Sequence, residues 1–165
     1  MPTRAPSLTH LDDAGRARMV AVAEKPETHR IAVAQARVRM TREAFELVRT
    51  ASGAKGDAIQ VARIAGIQGA KRCSELIPLC HPVRLVAVEV LAHLDDDAAT
   101  VAFEVRAEAV DRTGVEMEAM TGACVAALAL YDMIKAVDRA AVVEDVKLLR
   151  KSGGKSGDVR LHGAP

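Results

Sequence analysis

Aromatic side chains are scarce in this sequence, which has one Tyr, two Phe and no Trp among its 165 residues. The core must therefore consist mainly of Ala, Val, Leu, Ile and Met, which bury less apolar area per side chain. At about 25 cal/mol per Å² buried, such a core stabilises a small domain only modestly. We therefore expect an oligomer in which subunits share further apolar surface. The scarcity also disfavours an RNA-binding module, which stacks bases on exposed aromatic side chains of its sheet.

Cysteine is also rare, and the three copies, Cys73, Cys80 and Cys124, are neither even in number nor spaced as C-x-x-C. This pattern argues against a disulfide framework and against a thiolate zinc site, and it favours a reducing compartment. Prolines, acidic residues and a glycine interrupt residues 1–30, so no apolar segment there could act as a signal peptide or cross a bilayer. We expect a cytoplasmic protein with no membrane partner.

An excess of one charge is missing as well, since 23 Lys and Arg nearly balance 22 Asp and Glu. A chain that coats nucleic acid is usually strongly basic, so we expect no nucleic-acid partner. The length and the hydrophobic content of 50% fit a single domain with a real core. A site for an anion must therefore be a local cluster of cations.

Hydrophobic periodicity predicts the elements of the first half. Residues 31–40 alternate between apolar and polar side chains, which is typical of a half-buried strand. Thr41 and Asp57 are suited to cap two helices, the first ending near Gly53 and the second near Ser74. The second helix carries a stripe of mostly small residues that favours close packing, namely Val61, Ala62, Ala65, Gly69, Ala70 and Cys73.

The second half begins with a loop at 76–82, which is rigid because it is bracketed by prolines. Alternation at 86–94 and 101–107 predicts a β-hairpin, 115–137 predicts one long buried helix, and 142–149 predicts a last strand. The order is close to β-α-β-β-α-β with an added helix. It predicts a ferredoxin-like α+β fold, with an antiparallel sheet and helices packed on one face.

Three parts follow from these patterns. We expect residues 1–30 to form an N-terminal arm that needs another surface to fix it, 31–150 to form a ferredoxin-like domain, and 151–165 to form a Gly/Lys-rich tail. Lysines spaced by small residues can surround phosphate oxygens, although an exposed flexible tail is the alternative. The tail is not a P-loop, because Leu149 stands where the first Gly is needed and no helix pattern follows.

Three other places carry polar residues that the fold itself does not require, so these residues are candidates for a functional site. His81, between Cys80 and Pro82, has a defined direction and suits proton transfer or phosphate contact, unless it only caps backbone carbonyls. Glu116 and Glu118 begin the long helix, where acids are routine, but they could also accept hydrogen bonds from a guanine or pterin edge.

Asp132 and Lys135 form the third place, three residues apart on an otherwise apolar helix. This spacing puts both side chains on one face, as an ordinary ion pair or as a partly desolvated acid and base with tunable pKa values. Further cations, Arg30, Lys55, Lys71 and Arg72, complete a set that favours an anionic small-molecule site.

Several motifs, spread over nearly the whole chain, are specific in combination. They are L-T-H at 8–10, K-G-D at 55–57, A-R-I-A-G-I-Q at 62–68, A-K-R at 70–72, L-I-P-L-C-H-P at 76–82, T-G-V-E-M-E-A at 113–119, Y-D-M at 131–133, K-A-V at 135–137 and K-S-G-G-K-S-G-D at 151–158. In these motifs the chain resembles the cyclic pyranopterin monophosphate synthase family of molybdenum cofactor biosynthesis. The positions at which the chain differs from the family, 73–75 and Val83, lie between these motifs.

The resemblance implies a ferredoxin-like fold assembled as a hexamer, a trimer of dimers, with each active site at a subunit interface. It implies a lyase that converts 3′,8-cyclo-7,8-dihydroguanosine 5′-triphosphate to cyclic pyranopterin monophosphate and releases pyrophosphate. No cofactor or metal ligand is implied, although Mg²⁺ can accompany a triphosphate.

The resemblance also implies residue roles. It assigns catalysis to three residues, Asp132, Lys135 and Lys151. It assigns substrate binding to eight others: Arg30, Lys55, Leu79, Cys80, His81, Glu116, Met117 and Glu118. The competing hypothesis is a regulatory module that senses a nucleotide without converting it, and such a module would have no use for the acid and base at Asp132 and Lys135.

Overall fold

The computed structural model describes residues 10–12, 14–53 and 56–162. Its elements in chain order are β1 (Thr28–Arg39), α1 (Arg42–Arg49), α2 (Ala58–Lys71), α3 (Cys73–Leu76), β2 (Leu85–Asp95), β3 (Thr100–Asp111), α4 (Glu116–Ile134), β4 (Val142–Ser152) and β5 (Val159–Arg160). The predicted order of strand, two helices, hairpin, long helix and strand is confirmed. The structure adds the short elements α3 and β5.

The strands form one antiparallel sheet in the order β2-β3-β1-β4-β5. The two long helices share one face, where α4 lies across β1, β3 and β4, and α2 lies against β2 and α4. The prediction of an α+β fold with an antiparallel sheet is therefore confirmed.

The core lies between this sheet and its helices. Inward side chains of β1, such as Ala34 and Val38, and of β3, such as Val105, are fully buried. Both phenylalanines, Phe45 and Phe103, are also fully buried. Neither phenylalanine can therefore stack a base on an exposed sheet surface.

The predicted helix caps are present. The Thr41 hydroxyl accepts a hydrogen bond from the Ala44 amide at 3.4 Å, and the Asp57 carboxylate accepts one from the Gln60 amide at 3.1 Å. Each cap satisfies an amide that has no partner within its helix.

The structure corrects several predicted boundaries. β1 begins at Thr28, inside the predicted arm, and α1 ends at Arg49 rather than near Gly53. Two further differences have a clear physical cause. The long helix ends at Ile134 rather than Val137, because Asp138 holds the following turn by accepting hydrogen bonds from the Thr41 and Ala140 amides at 2.7 and 2.9 Å. The last strand continues to Ser152 because its end pairs with the start of β1, opposite Ile31. The ladder therefore includes residues that we assigned by composition to the tail.

Glycines bring α2 and α4 into close contact. A Cβ atom at Gly69 would lie 2.7 Å from the Cβ of Val125, and one at Gly122 would lie 3.1 Å from the Gly66 carbonyl oxygen. The predicted small-residue stripe is thus confirmed for the most part, but Val61 does not belong to it because it is 42% exposed.

Helix α4 is long and apolar enough to span a membrane by length and composition, with a mean hydropathy of 1.3 over its most apolar window. Half of that window is buried inside the fold, against the sheet and α2. A core helix of a soluble protein has the same properties, so this helix is only weak evidence for a membrane span.

We predict that Gly69→Val lowers the free energy of unfolding by about 1–3 kcal/mol, because the new side chain overlaps Val125. The control Gln68→Val places the same side chain at the exposed neighbouring position and costs under about 0.7 kcal/mol, the range of helix propensities. Urea denaturation followed by circular dichroism measures both. Equal losses in the two variants would show that the helix contact has room for a side chain.

Candidate active site

The proline-bracketed loop and the first turn of α4 form the walls of a cleft of about 340 Å³. Five of the predicted site residues line it: Leu79, Cys80, His81, Glu116 and Met117. His10, Ile77, Thr113 and Gly114 complete the lining. The structure therefore brings together side chains that are far apart in the sequence.

Gly114 allows the Glu116 carboxylate to lie close to the backbone in this cleft. A Cβ atom at Gly114 would lie 1.8 Å from Oε2 of Glu116, so a larger residue would displace the carboxylate. The other oxygen of Glu116 accepts a hydrogen bond from Nζ of Lys151 at 3.0 Å. Lys151 was predicted in the tail, but it lies in β4, where the sheet holds it opposite Ala32.

A second cavity, of about 530 Å³, adjoins the cleft and shares Thr113 and Gly114 with it. Its lining contains five cationic side chains, those of Lys25, Arg30, Arg112, Lys151 and Lys155. We call this cavity the basic pocket. Because the net charge of the whole chain is nearly balanced, a site for an anion needs a local cluster of cations, and the basic pocket is such a cluster.

Local hydrogen bonds position Arg30 in the basic pocket. Its guanidinium donates to the carbonyl oxygens of Asp111 and Arg112 at 3.3 and 3.4 Å. Gly154 has a φ of 69°, and a Cβ there would lie 1.7 Å from the guanidinium, so a larger residue would be strained and would displace the Arg30 side chain.

Sequence reasoning did not place Lys25 or Arg112 in this site, and it included Lys155 only as part of the tail. A weak signal for Arg112 existed, because it directly precedes the segment at Thr113 and Gly114 that leads into the long helix. Nothing in the sequence near Lys25 indicates a site.

Glu118 lies behind the wall of the cleft rather than in its lining, and it is only 3% exposed. The Cys80 thiol donates to Oε1 of Glu118 at 3.5 Å. Burial, together with the nearby Glu118 charge, raises the pKa of Cys80 to about 12. Burial likewise raises the pKa of Glu118. At neutral pH the Cys80 side chain is thus a neutral thiol, which can donate a hydrogen bond but is a poor nucleophile.

Asp132 and Lys135 form an ion pair of 2.7 Å at the other end of α4. The Asp132 hydrogen bond and its charge raise the pKa of Lys135. The expectation that this pair is partly desolvated is wrong for the single chain, because the side chains are 59% and 52% exposed. They follow an apolar run in sequence but lie on the outer side of the last helical turn.

The two groups of predicted residues are far apart within one chain. Asp132 follows Glu116 by sixteen residues of continuous helix, so the two lie about 24 Å apart along the axis. Lys55 lies outside the described residues, so its role in substrate binding stays a prediction.

Comparison with known proteins gives matches that extend over nearly the whole chain. The model of the MoaC family matches residues 19–154. A cyclic pyranopterin monophosphate synthase of Thermomicrobium roseum is 56% identical over 153 residues, which cover 93% of this chain and 92% of that protein. A cyclic pyranopterin monophosphate synthase of Heliobacterium modesticaldum is 53% identical over 150 residues, covering 91% of this chain and 94% of that protein.

We predict that Lys151→Ala weakens binding of inorganic pyrophosphate by roughly 10- to 150-fold, since a hydrogen bond to a charged group contributes about 1.5–3 kcal/mol. Lys147→Ala is the matched control, because Lys147 is on the same strand and similarly exposed but pairs with Asp145 at 2.9 Å. Isothermal titration calorimetry measures both. If the two variants bind pyrophosphate equally well, the anion does not occupy the basic pocket.

Proposed function

We propose, since this chain belongs to the MoaC family, that it converts 3′,8-cyclo-7,8-dihydroguanosine 5′-triphosphate to cyclic pyranopterin monophosphate and pyrophosphate. It would thereby act as a lyase in molybdenum cofactor biosynthesis. The structural observation that carries the proposal is the junction at Thr113 and Gly114, where a cleft lined by one carboxylate and two histidines meets a pocket with five cations. A nucleotide triphosphate has the same division into a neutral base and a polyanion.

The cleft suits the base and the sugar of this substrate. The Glu116 carboxylate can accept hydrogen bonds from neighbouring N–H groups of the guanine-derived ring, and Met117 offers an apolar contact beside it. Cys80 and His81, on the opposite wall, are both able to donate hydrogen bonds to hydroxyl or phosphate oxygens.

The basic pocket suits the triphosphate. Closing the cyclic ester at the α-phosphate requires that pyrophosphate leave with its negative charge, and nearby ammonium and guanidinium groups stabilise that charge as it develops. Lys151 is placed for this role because its Nζ atom reaches Glu116 in the cleft while it also lines the pocket. Arg30, which lines the same pocket, would bind the phosphate chain together with Lys151.

Asp132 and Lys135 would supply the proton transfers of ring opening and closing. A nucleotide bound at the first turn of α4 cannot reach them in the same chain, because the helix separates the two places by about 24 Å. We therefore infer that a second subunit presents its Asp132 and Lys135 to the cleft. Desolvation of the ion pair, which the single chain lacks, would then come from the subunit interface.

The assembly that we propose is a hexamer, a trimer of dimers. Apolar side chains on the outer surfaces of α2 and α4 support association, since Ile64 and Leu128 are 60% and 58% exposed. We also propose a cytoplasmic location. We propose that the reaction needs no resident cofactor, with Mg²⁺ entering only as a companion of the triphosphate.

The activity is tested directly with the purified protein and the cyclised nucleotide. We expect one pyrophosphate for each nucleotide consumed, together with a pterin that becomes fluorescent after oxidation. Binding of the nucleotide without release of pyrophosphate would instead indicate a sensor.

We predict that Asp132→Asn slows single-turnover product formation by roughly 10²–10⁴-fold, because the amide cannot exchange a proton. Substrate affinity should change far less. The control is Glu46→Gln, which removes another exposed helix ion pair of the same spacing, Glu46 to Arg49 at 2.6 Å, without approaching the site. Rapid-quench assays and melting temperatures of both variants are the measurements. A folded Asp132→Asn variant that turns over as fast as Glu46→Gln would remove Asp132 from catalysis.

A further inference from the structure

Cys73, Cys80 and Glu118 form a compact cluster behind the wall of the cleft. Their ligand atoms, two sulfurs and a carboxylate oxygen, all lie within 4.8 Å of one another. Cys73 is 1% exposed and Glu118 is 3% exposed. Of the three side chains, that of Cys80 also lines the cleft. The function proposed above uses Cys80 as a hydrogen-bond donor and gives Cys73 no role.

Two of the three distances between ligand atoms in this cluster match a tetrahedral metal site. With Zn–S bonds of about 2.3 Å and Zn–O bonds of about 2.1 Å, tetrahedral angles place two sulfurs about 3.8 Å apart and a sulfur and an oxygen about 3.6 Å apart. The Cys73 and Cys80 sulfurs are separated by 3.9 Å, and the Cys80 sulfur lies 3.5 Å from Oε1 of Glu118. The third distance, between the Cys73 sulfur and a Glu118 oxygen, is at most 4.8 Å, so binding a cation would require these two side chains to approach by at most about 1.2 Å.

The Glu118 carboxylate independently indicates a missing ligand. Its Oε2 atom is buried and has no hydrogen-bond partner among the described residues. Within those residues, no ion pair with Lys, Arg or His involves Glu118 either, although Lys151 pairs with Glu116 two positions earlier. A buried carboxylate without a compensating charge is costly, and a bound cation would remove that cost.

The donor set determines the class of cation. Two thiolates select thiophilic metals such as Zn²⁺ over Mg²⁺ and Ca²⁺, which prefer oxygen ligands. Three protein ligands with one position left open are typical of zinc sites that also bind water or a substrate atom. The Thr121 hydroxyl, 3.4 Å from the Cys73 sulfur, can donate to that sulfur and orient it.

We propose that Cys73, Cys80 and Glu118 bind one thiophilic divalent cation of the Zn²⁺ class, with its fourth position open to water or to a ligand in the cleft. Each thiol releases its proton to solvent as it binds the metal. The proposal does not depend on the proposed reaction, because binding requires no substrate. The spacing of six residues between the two cysteines is not a C-x-x-C motif, and so the sequence pattern argued against a zinc site.

The test uses Co²⁺ as a spectroscopic probe of the full-length protein, reduced and freed of metal with a chelator. We expect thiolate-to-cobalt charge-transfer absorption that saturates at one Co²⁺ per chain and disappears when Zn²⁺ displaces the probe. Cys73→Ser should lose about half of this absorption, since one of two thiolates is gone, and should bind at least about tenfold more weakly. Glu118→Gln should bind more weakly but keep both thiolate contributions.

Cys124→Ser is the matched control, because Cys124 is the remaining cysteine and lies outside the cluster. It should leave the spectrum and the affinity unchanged. X-ray absorption of the zinc-loaded wild-type protein provides a measurement that requires no variant, and it should show two sulfur ligands at about 2.3 Å. A folded, reduced wild-type protein without thiolate absorption, or a zinc spectrum without sulfur ligands, would overturn the proposal.

Discussion

The close contact between α2 and α4 is the constraint on which the rest of the structure depends. Gly66, Gly69 and Gly122 remove the side chains that would hold the two helices apart, so α4 is clamped between α2 and the sheet. A helix fixed in this way keeps its two ends at a constant separation. Its first turn presents Glu116 to the cleft, and its last turn presents Asp132 to solvent. One chain therefore holds two half-sites that cannot meet within it.

Charge is nearly balanced over the whole chain but strongly separated within the site. Five cations line the basic pocket, whereas the cluster behind the cleft wall consists of two neutral thiols and a buried carboxyl. The Glu116 carboxylate stands between these regions and pairs with Lys151. A ligand that is polyanionic at one end and rich in N–H groups at the other fits this gradient. Purine nucleoside triphosphates combine both properties.

Much of the fold could be predicted from the sequence because local signals and tertiary packing agree. Alternation in β1 and β3, together with caps at Thr41 and Asp57, defined the elements to within a few residues. The end of β4 could not be predicted in this way. Lys151 belongs to a Gly- and Ser-rich stretch that is typical of a flexible tail, but pairing with β1 overrides that composition.

The arrangement of the site could be predicted from the sequence less completely than the fold, for a physical reason. A motif indicates which residues are chemically useful, but it carries no information on which of them are neighbours in space. The cleft residues Cys80, His81 and Glu116 do lie together, whereas Asp132 lies at the far end of the helix. The partial burial expected of Asp132 depends on a surface that the single chain does not contain. The Cys73 cluster depends on the α3 turn, which has no recognisable spacing in the sequence.

The central claim is that one site takes its phosphate-binding half and its acid-base half from different chains. The most direct measurement is the turnover of hetero-oligomers that contain Lys151→Ala and Asp132→Asn chains, co-expressed with two tags and purified on both. Each variant alone should be nearly inactive. Random mixing should restore about a quarter of the wild-type rate, because that share of interfacial sites receives one intact half from each chain. If the mixed oligomers are as inactive as their parents, the two halves do not combine across an interface and the account is wrong.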